Sequence, residues 1–249
     1  MRQDIEMDFT KNEYLLETSA PIRPQMSSLF HGVLMENIPS EYADYVHYSQ
    51  LHPYTQHLEI NRDCTKWVIT CLNDQAKAYI IDQGLDSLTE FYIKRQNIHV
   101  RIVEKKETTI SEQELAHQFY NEQASNIVKI KFVTPTAFKQ AGRYLFLPDI
   151  RCIYQSLMNK YDVSAESNVM MDEEVLDQLT EDTFMTGYRL QSVSFQLEGV
   201  RIPSFIGEVR WKIKGPQTMV NYANMLLRFG TFSGVGIKTS LGMGAIEIS

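Results

Sequence analysis

Long apolar runs are missing from this chain of 249 residues. No stretch approaches the roughly 20 apolar residues of a transmembrane helix, so we expect no membrane partner. The first residues, Met1-Arg2-Gln3-Asp4, precede no apolar segment, which argues against a signal peptide. Cysteine is scarce: only Cys64, Cys71 and Cys152 occur, without a C-x-x-C pair, which favours free thiols in a reducing compartment. We therefore expect a soluble cytoplasmic protein.

An excess of positive charge is also missing, since the net charge is −7. This argues against a nucleic-acid partner. The distribution along the chain weakens that argument. Residues 1–125 carry 11 Lys and Arg against 19 Asp and Glu, whereas residues 126–249 carry 13 against 12. Eight of those 12 acidic residues lie within 162–182. The rest of the second half is basic, and local potential rather than net charge attracts a polyanion.

Glycine is concentrated near the end of the chain, where residues 229–244 hold five of the 12 glycines together with Lys238, Thr239 and Ser240. Glycine lets main-chain N–H groups approach a ligand, and a lysine among them suits phosphate oxygens. The spacing fits neither a nucleotide P-loop nor a dinucleotide fingerprint, and too few residues follow for the helix that each requires. We predict a phosphate-binding loop at residues 234–244, called the glycine loop, between a helix and a last strand. A plain connector is the alternative.

The apolar pattern of the first half predicts the order strand, helix, strand, strand, helix, strand of a ferredoxin-like domain. The predicted strands are residues 5–17, 57–60, 66–72 and 97–104, and the predicted helices are 26–38, 41–48 and 73–83. Ser111 and Glu114 fit a capping box that begins a short helix, and the polar residues 121–126 are typical of a domain junction. We therefore predict domains at residues 1–124 and 125–249.

The second half repeats this scheme. Strands are predicted at residues 127–133, 185–196, 204–213 and 245–248. Helices are predicted to begin at Pro148-Asp149, at Asp172 and at Pro216, with Pro216 as the first residue of its helix. The predicted fold class is therefore α+β, with two tandem ferredoxin-like domains. The glycine loop belongs to the second of them.

Three groups of motifs resemble those of the CRISPR repeat-RNA-processing endoribonucleases and extend over nearly the whole chain. They are GxGxKTSLGxG at residues 234–244 after FIGEV at 205–209, FxTPTxFK at 132–139 with LPD at 147–149, and FHGVLM at 30–35 with YVH at 45–47. The glycine motif is quite specific to this family, and the N-terminal pattern is looser. The resemblance is closest to the enzymes of type III-A (Csm-type) systems.

This resemblance implies two tandem domains related to RNA-recognition modules (RRM-like). It implies a nuclease that binds the repeats of precursor CRISPR RNA and cuts each repeat once. Cleavage is expected to need no metal and no cofactor, and to leave a 5′-hydroxyl and a 2′,3′-cyclic phosphate. The implied partners are the repeat RNA and, transiently, a type III-A effector complex, and neither DNA nor a membrane is expected.

Metal-free RNA cleavage needs groups that take a proton from the 2′-hydroxyl and give one to the leaving 5′-oxygen, and histidine suits both tasks. His47 is the first candidate, because it occupies the family's catalytic-histidine position and is predicted to face outward. His31 is the second, because many relatives carry a catalytic tyrosine near the position of Met35. His52 is the third, because some relatives carry a lysine near it. An ordinary surface or interdomain histidine is the alternative for each.

The glycine loop is expected to hold the RNA backbone near the cut, with charge from Lys238 and donors from Thr239 and Ser240. Basic residues of the second half could extend this track, and Arg210 and Lys212, two apart on a strand, should share a face. For each of these basic residues alone, an ordinary surface role is the alternative. The predicted RNA-binding residues are Gly234, Gly236, Lys238, Thr239, Ser240, Gly242, Gly244, Lys139, Arg143, Arg210 and Lys212.

A metal centre built from His47, His52 and His57 is not expected, because five-residue spacing separates side chains around a helix and Pro53 interrupts any helix. Two other functions stay open from the sequence. A non-catalytic repeat-RNA-binding subunit is favoured by the departure at Met35 and by the acidic first half. A small-molecule nucleotide binder would use the glycine loop, and the spacing of that loop disfavours it.

Overall fold

The computed structural model describes residues 8–49, 51–121, 123–164, 170–197 and 199–249. They contain two large antiparallel sheets, one of strands within residues 8–111 and one of strands within residues 127–248, and we call the parts of the chain that carry them the first and the second lobe. Residues 5–7 of the first predicted strand lie outside the described residues.

The first lobe has the predicted ferredoxin-like order with one added strand. Its elements are β1 (Asp8–Thr18), α1 (Ser27–Asn37), α2 (Ser40–Tyr48), β2 (Tyr54–Ile60), β3 (Thr65–Cys71), α3 (Asp74–Ala76, continued by π-helical turns over Lys77–Leu85), β4 (Glu90–Ile93) and β5 (Ile98–Ser111). The sheet order is β2-β3-β1-β5-β4. Without the short edge strand β4, the first strand lies between the third and the last, as a ferredoxin-like fold requires.

Helices of the first lobe cover one face of this sheet. Trp67 and Phe30 are fully buried there, with ring centroids 5.3 Å apart. The apolar pattern also places Tyr45 inward, and this is wrong: its side chain is 54% exposed. The buried residues of α2 are Tyr42 and Val46, which are four residues apart and therefore lie on one side of the helix.

The predicted capping box is confirmed at the start of α4 (Glu112–Asn121). The backbone N–H of Glu114 donates to the Ser111 hydroxyl at 3.1 Å, and the N–H of Ser111 donates to the Glu114 carboxylate at 2.9 Å. This reciprocal pair satisfies two N–H groups that the helix itself cannot bond.

The second lobe repeats the ferredoxin-like order. Its elements are β6 (Ile127–Thr136), β7 (Phe138–Gln140), β8 (Arg143–Leu145), α5 (Ile150–Ser164), α6 (Glu173–Asp182), β9 (Thr183–Leu197), β10 (Val200–Ile213), α7 (Gln217–Ser233) and β11 (Ile246–Ile248). The main sheet has the order β11-β6-β10-β9, and β7 pairs only with β8. The predicted α+β class with two ferredoxin-like units is confirmed.

Several boundaries differ from the prediction for identifiable reasons. The strands β4, β7 and β8 have only three or four residues, too few for a readable alternation. The strand β5 is longer than predicted, because the charged residues 104–107 break the apolar pattern but still pair with β1. Pro216 caps α7 from outside instead of being its first residue.

The two lobes share packed side chains. Phe9 of β1 lies in the core of the second lobe, with its ring centroid 5.1 Å from that of Phe229 in α7 and 6.1 Å from that of Tyr161 in α5. A Cβ added at Gly242 would lie 2.2 Å from the Cβ of Ser27, so the glycine loop also touches the start of α1. The predicted division at residue 124 stays a prediction.

The described residues include no helix long and apolar enough to cross a membrane. Cys64, Cys71 and Cys152 are free, as the sequence predicts.

Candidate active site

A cleft of about 710 Å³ lies where α1 and α2 of the first lobe face the glycine loop of the second. All three candidate histidines line it, together with part of the predicted phosphate-binding loop. The candidate residues along the cleft are His31, His47, His52, Gly236, Lys238, Thr239 and Ser240. The structure thus brings together residues more than 180 positions apart in the chain.

His31 projects from α1 and is largely buried. Its Nε2 atom lies 2.9 Å from the hydroxyl oxygen of Tyr54. Burial and the neighbouring His52 lower the pKa of His31 to about 4. At neutral pH the imidazole is therefore uncharged, so one ring nitrogen can accept a proton.

Tyr54, at the start of β2, connects His31 with the glycine loop. Its side chain is fully buried, which raises the pKa of its hydroxyl far above the usual range and keeps it protonated. The same hydroxyl interacts with the side chain of Ser240, which opposes that rise in pKa. The Tyr54 hydroxyl therefore lies close to both His31 and Ser240.

His47 is exposed on α2 and lines the cleft, which confirms that it faces outward. Its ring centroid lies 5.4 Å from that of Tyr48, with the two planes nearly perpendicular at 81°. Because Tyr42 and Val46 occupy the buried side of α2, the opposite side presents His47 to any molecule in the cleft.

His52 also lines the cleft, within electrostatic reach of His31, His47 and Lys238. Burial lowers its pKa, and the nearby charges of Lys238 and His47 act in the same direction, while a hydrogen bond with the Val46 carbonyl opposes them. Its buried Nδ1 atom has no hydrogen-bond partner among the described residues. Buried polar atoms without a partner are rare in proteins, so this nitrogen is unusual.

Unusual backbone conformations shape the glycine loop. Gly236 has a φ of +75°, and a Cβ there would lie 2.3 Å from the carbonyl oxygen of Ala137. Lys238 has a φ of +58°, which is uncommon for a residue with a side chain. The loop joins α7 to β11 as predicted and turns tightly enough to bring Lys238 into the cleft.

Lys160 also lines the cleft and was not among the predicted site residues. It is only 6% exposed on α5, and its ammonium donates to the carbonyls of Ser233 at 3.0 Å and Gly234 at 3.1 Å and to the Thr239 hydroxyl at 3.2 Å. Burial lowers its pKa to about 7. One feature of the sequence could have identified it. Lys160 follows Leu157 by three residues and so lies on the inner side of the helix, where lysine is rare.

The other predicted RNA-binding residues do not line the cleft. They are Gly234, Gly242 and Gly244 within the glycine loop, the exposed Lys139 and Arg143 on the β7–β8 hairpin, and the exposed Arg210 and Lys212 on β10. The last two do share a face of their strand, because Trp211 between them is fully buried. Their contact with RNA stays a prediction.

Within the described residues, no group of three or more His, Cys, Asp or Glu side chains is placed to hold a metal ion. His57 does not line the cleft with His47 and His52. It lies on β2 with its Nε2 atom 3.2 Å from a carboxylate oxygen of Glu59.

Comparison with known proteins points to one family. The family model described as "CRISPR-associated endoribonuclease Cas6" matches residues 130–246. A protein of that description from Streptococcus thermophilus is 37% identical over 219 residues, which cover 88% of this chain and 89% of the relative. Another from Mycobacterium tuberculosis (strain ATCC 25618 / H37Rv) is 32% identical over 239 residues, which cover 94% of this chain and 76% of the relative.

Solved structures share the fold. A Cas6 product complex has a TM-score of 0.80 at 20% identity, covering 98% of this chain and 100% of that chain. Thermus thermophilus Cas6 has a TM-score of 0.72 at 21% identity, covering 99% of this chain and 100% of that chain. Together with the sequence identity above 30% over most of both chains, these observations show that this chain belongs to the CRISPR-associated endoribonuclease Cas6 family.

Proposed function

We propose that this chain binds the repeats of precursor CRISPR RNA and cuts each repeat once, without a metal ion. The observation that carries the proposal is the cleft, in which histidines of the first lobe face Lys238 and the glycine loop of the second. Groups for proton transfer beside a loop that suits phosphate are what RNA cleavage by the 2′-hydroxyl requires. The names of the curated relatives, which describe endoribonucleases, support the same reaction.

In the proposed reaction, the 2′-oxygen attacks the adjacent phosphorus while its proton passes to a neutral imidazole. The bond between phosphorus and the 5′-oxygen breaks, and that oxygen receives a proton. The products are a 2′,3′-cyclic phosphate and a 5′-hydroxyl. We assign His31 as the base, because it lines the cleft and its ring is uncharged at neutral pH. We assign His47 as the acid, because solvent reaches its ring and can return the proton after each cut.

Lys238 and the N–H groups of the glycine loop would stabilise the extra negative charge that develops on the phosphoryl oxygens. His52 lies within electrostatic reach of both Lys238 and His47. Because His52 lines the cleft near Lys238, we assign it to binding the phosphate or an adjacent hydroxyl.

The proposal extends to the biological setting. The motifs support a type III-A enzyme that acts in the cytoplasm and hands its product to the effector complex. Residues 1–124 and 125–249 are proposed as its two domains. Co-purification with type III-A effector subunits before and after RNase treatment tests the handover, and a lack of association in both samples would count against it.

A gel of repeat RNA tests the reaction. Wild type should cut the repeat with chelator present, and mass spectrometry of the products should give a 2′,3′-cyclic phosphate. His31→Ala and His47→Ala should each slow cutting by about 100-fold or more, and His52→Ala by about tenfold. Loss of wild-type activity in chelator would refute the metal-free mechanism.

A non-catalytic RNA-binding subunit is the second candidate. Met35, which cannot transfer a proton, lines the cleft one turn after His31. The resemblance to the family implies a tyrosine near this position. Purified protein that binds the repeat but leaves it intact, under conditions where a relative cuts it, would favour this function.

A further inference from the structure

The C-terminal end of α7, from which the glycine loop begins, is held by side chains of both lobes. The last carbonyls of a helix lack helical partners. Lys11 of β1 donates to the carbonyl of Thr231 at 2.7 Å, and the hydroxyl of Thr55 in β2 donates to the carbonyl of Phe232 at 3.2 Å. Two polar side chains of the first lobe thus bond the helix end that carries the loop.

Lys160 of the second lobe takes the next two carbonyls, at Ser233 and Gly234, and also the hydroxyl of Thr239. An ammonium has three N–H donors, and here each has an oxygen acceptor within the protein. Lys160 therefore has no donor left for a ligand. Its bonds instead tie the first residue of the glycine loop to Thr239, which follows Lys238.

We propose that Lys160 is a positioning residue for RNA cleavage, which holds the glycine loop in the shape that brings Lys238 and the loop N–H groups to the scissile phosphate. This inference rests on the proposed function of the loop. Stabilisation of developing charge depends on donors that are fixed before the reaction, so loss of the link should reduce the rate even when RNA is bound.

The cost of burying Lys160 supports a specific role. Its neighbours on the inner side of α5 are apolar, and an apolar residue there would avoid the desolvation of an ammonium. Three oxygen acceptors and the negative end of the α7 dipole offset only part of that cost, because the pKa of Lys160 stays lowered to about 7. A residue needed only for packing would not require a charge at this position.

The first experiment compares wild type with Lys160→Met and with Lys106→Met, which removes an exposed lysine of β5 as a control. Hydrogen exchange of the RNA-free proteins is measured over residues 234–244, together with single-turnover cleavage at saturating repeat RNA. We expect exchange in the loop to rise by about tenfold in Lys160→Met and the single-turnover rate to fall by about tenfold or more. Lys106→Met should match wild type in both.

Exchange in the free protein separates this inference from the proposed function. A loosened loop in Lys160→Met, together with a wild type that cuts no RNA, would show that Lys160 holds the loop but would refute the nuclease and with it any role of Lys160 in cleavage. An unchanged loop with an unchanged single-turnover rate, in a protein that does cut, would overturn the role of Lys160.

Thr239→Val and Lys160→Arg keep the test decisive if Lys160→Met does not fold. Thr239→Val keeps the side-chain shape but removes the acceptor that links the two halves of the loop, so loop exchange should rise by about threefold or more. Lys160→Arg retains donors and should keep the single-turnover rate within about tenfold of wild type. Wild-type loop exchange in Thr239→Val would overturn the proposal.

Discussion

The Nε2 atom of His31 lies 2.9 Å from the hydroxyl oxygen of Tyr54, a side chain with no exposed surface. That hydroxyl also interacts with Ser240 in the glycine loop. One oxygen atom therefore connects the proposed base of the first lobe with the proposed phosphate site of the second.

Tyr54→Phe removes that oxygen and leaves the buried ring in place. We expect the fold to persist and the single-turnover cleavage rate to fall by about tenfold, because His31 loses the partner that orients it. Tyr120→Phe is the matched control, since Tyr120 is 77% exposed on α4 and should cut at the wild-type rate. A Tyr54→Phe enzyme as fast as wild type would show that the connection is not needed.

The buried His31 should make stability depend on pH. Its pKa is about 4 in the folded protein, against an ordinary value of 6.5. Between these values the unfolded chain binds more protons, so the free energy of unfolding falls as the pH drops from 6.5 to 4. In His31→Gln this loss should be smaller by roughly 1–2 kcal/mol, allowing for partial exposure.

Urea unfolding of both proteins at about pH 4.5, 5.5, 6.5 and 8 measures this difference, because these values cover most of the change and the plateau above it. Equal pH dependence in wild type and His31→Gln would contradict a histidine that stays neutral in the fold. The assignment of His31 as the base would then lose its support.

A residue of this site can be predicted from the sequence when the residues that position it are close to it in the chain. The outward orientation of His47 follows from the helical spacing of Tyr42 and Val46, which is local information. The position of the glycine loop between a helix and a last strand follows from its neighbours in the chain. Tyr54 could not be placed in the same way, because its partners His31 and Ser240 lie 23 and 186 positions away.

The partners of Lys160 are also distant in the chain and could not be predicted from the sequence. A lysine on the apolar side of α5 is visible in the sequence, but the oxygen atoms that bind it belong to residues 233, 234 and 239. Only the tertiary structure brings α5 beneath the end of α7. The short strands β4, β7 and β8 were missed for a simpler reason, because three or four residues carry too little pattern.

Gly236→Ala should disrupt the glycine loop. The added Cβ would lie 2.3 Å from the Ala137 carbonyl oxygen at a φ of +75°, so we expect a loss of roughly 1–3 kcal/mol in stability and slower cleavage. Gly187→Ala is the control, because a Cβ there has no atom within 4 Å. Thermal unfolding and single-turnover cleavage measure both effects. A Gly236→Ala protein with wild-type stability and rate would contradict the close contact of the loop with Ala137.

Lys11→Met tests the bond between the first lobe and the end of α7. The methionine can still cover the Phe232 ring, which the Lys11 ammonium approaches to 4.7 Å from its centroid. The Thr231 carbonyl loses its donor, so we expect a loss of roughly 1 kcal/mol in urea unfolding. Lys106→Met should change stability by less than about 0.5 kcal/mol. Equal stabilities of the two variants would argue against this bond.

Cleavage of a repeat RNA that carries a single 2′-deoxy sugar at the cut position tests the central claim most directly. The account predicts that wild type cuts the unmodified RNA with chelator present, that it leaves the deoxy RNA intact while still binding it, and that His47→Ala binds the unmodified RNA but does not cut it. Cutting of the deoxy RNA at the same position would contradict the claim that the RNA supplies its own nucleophile.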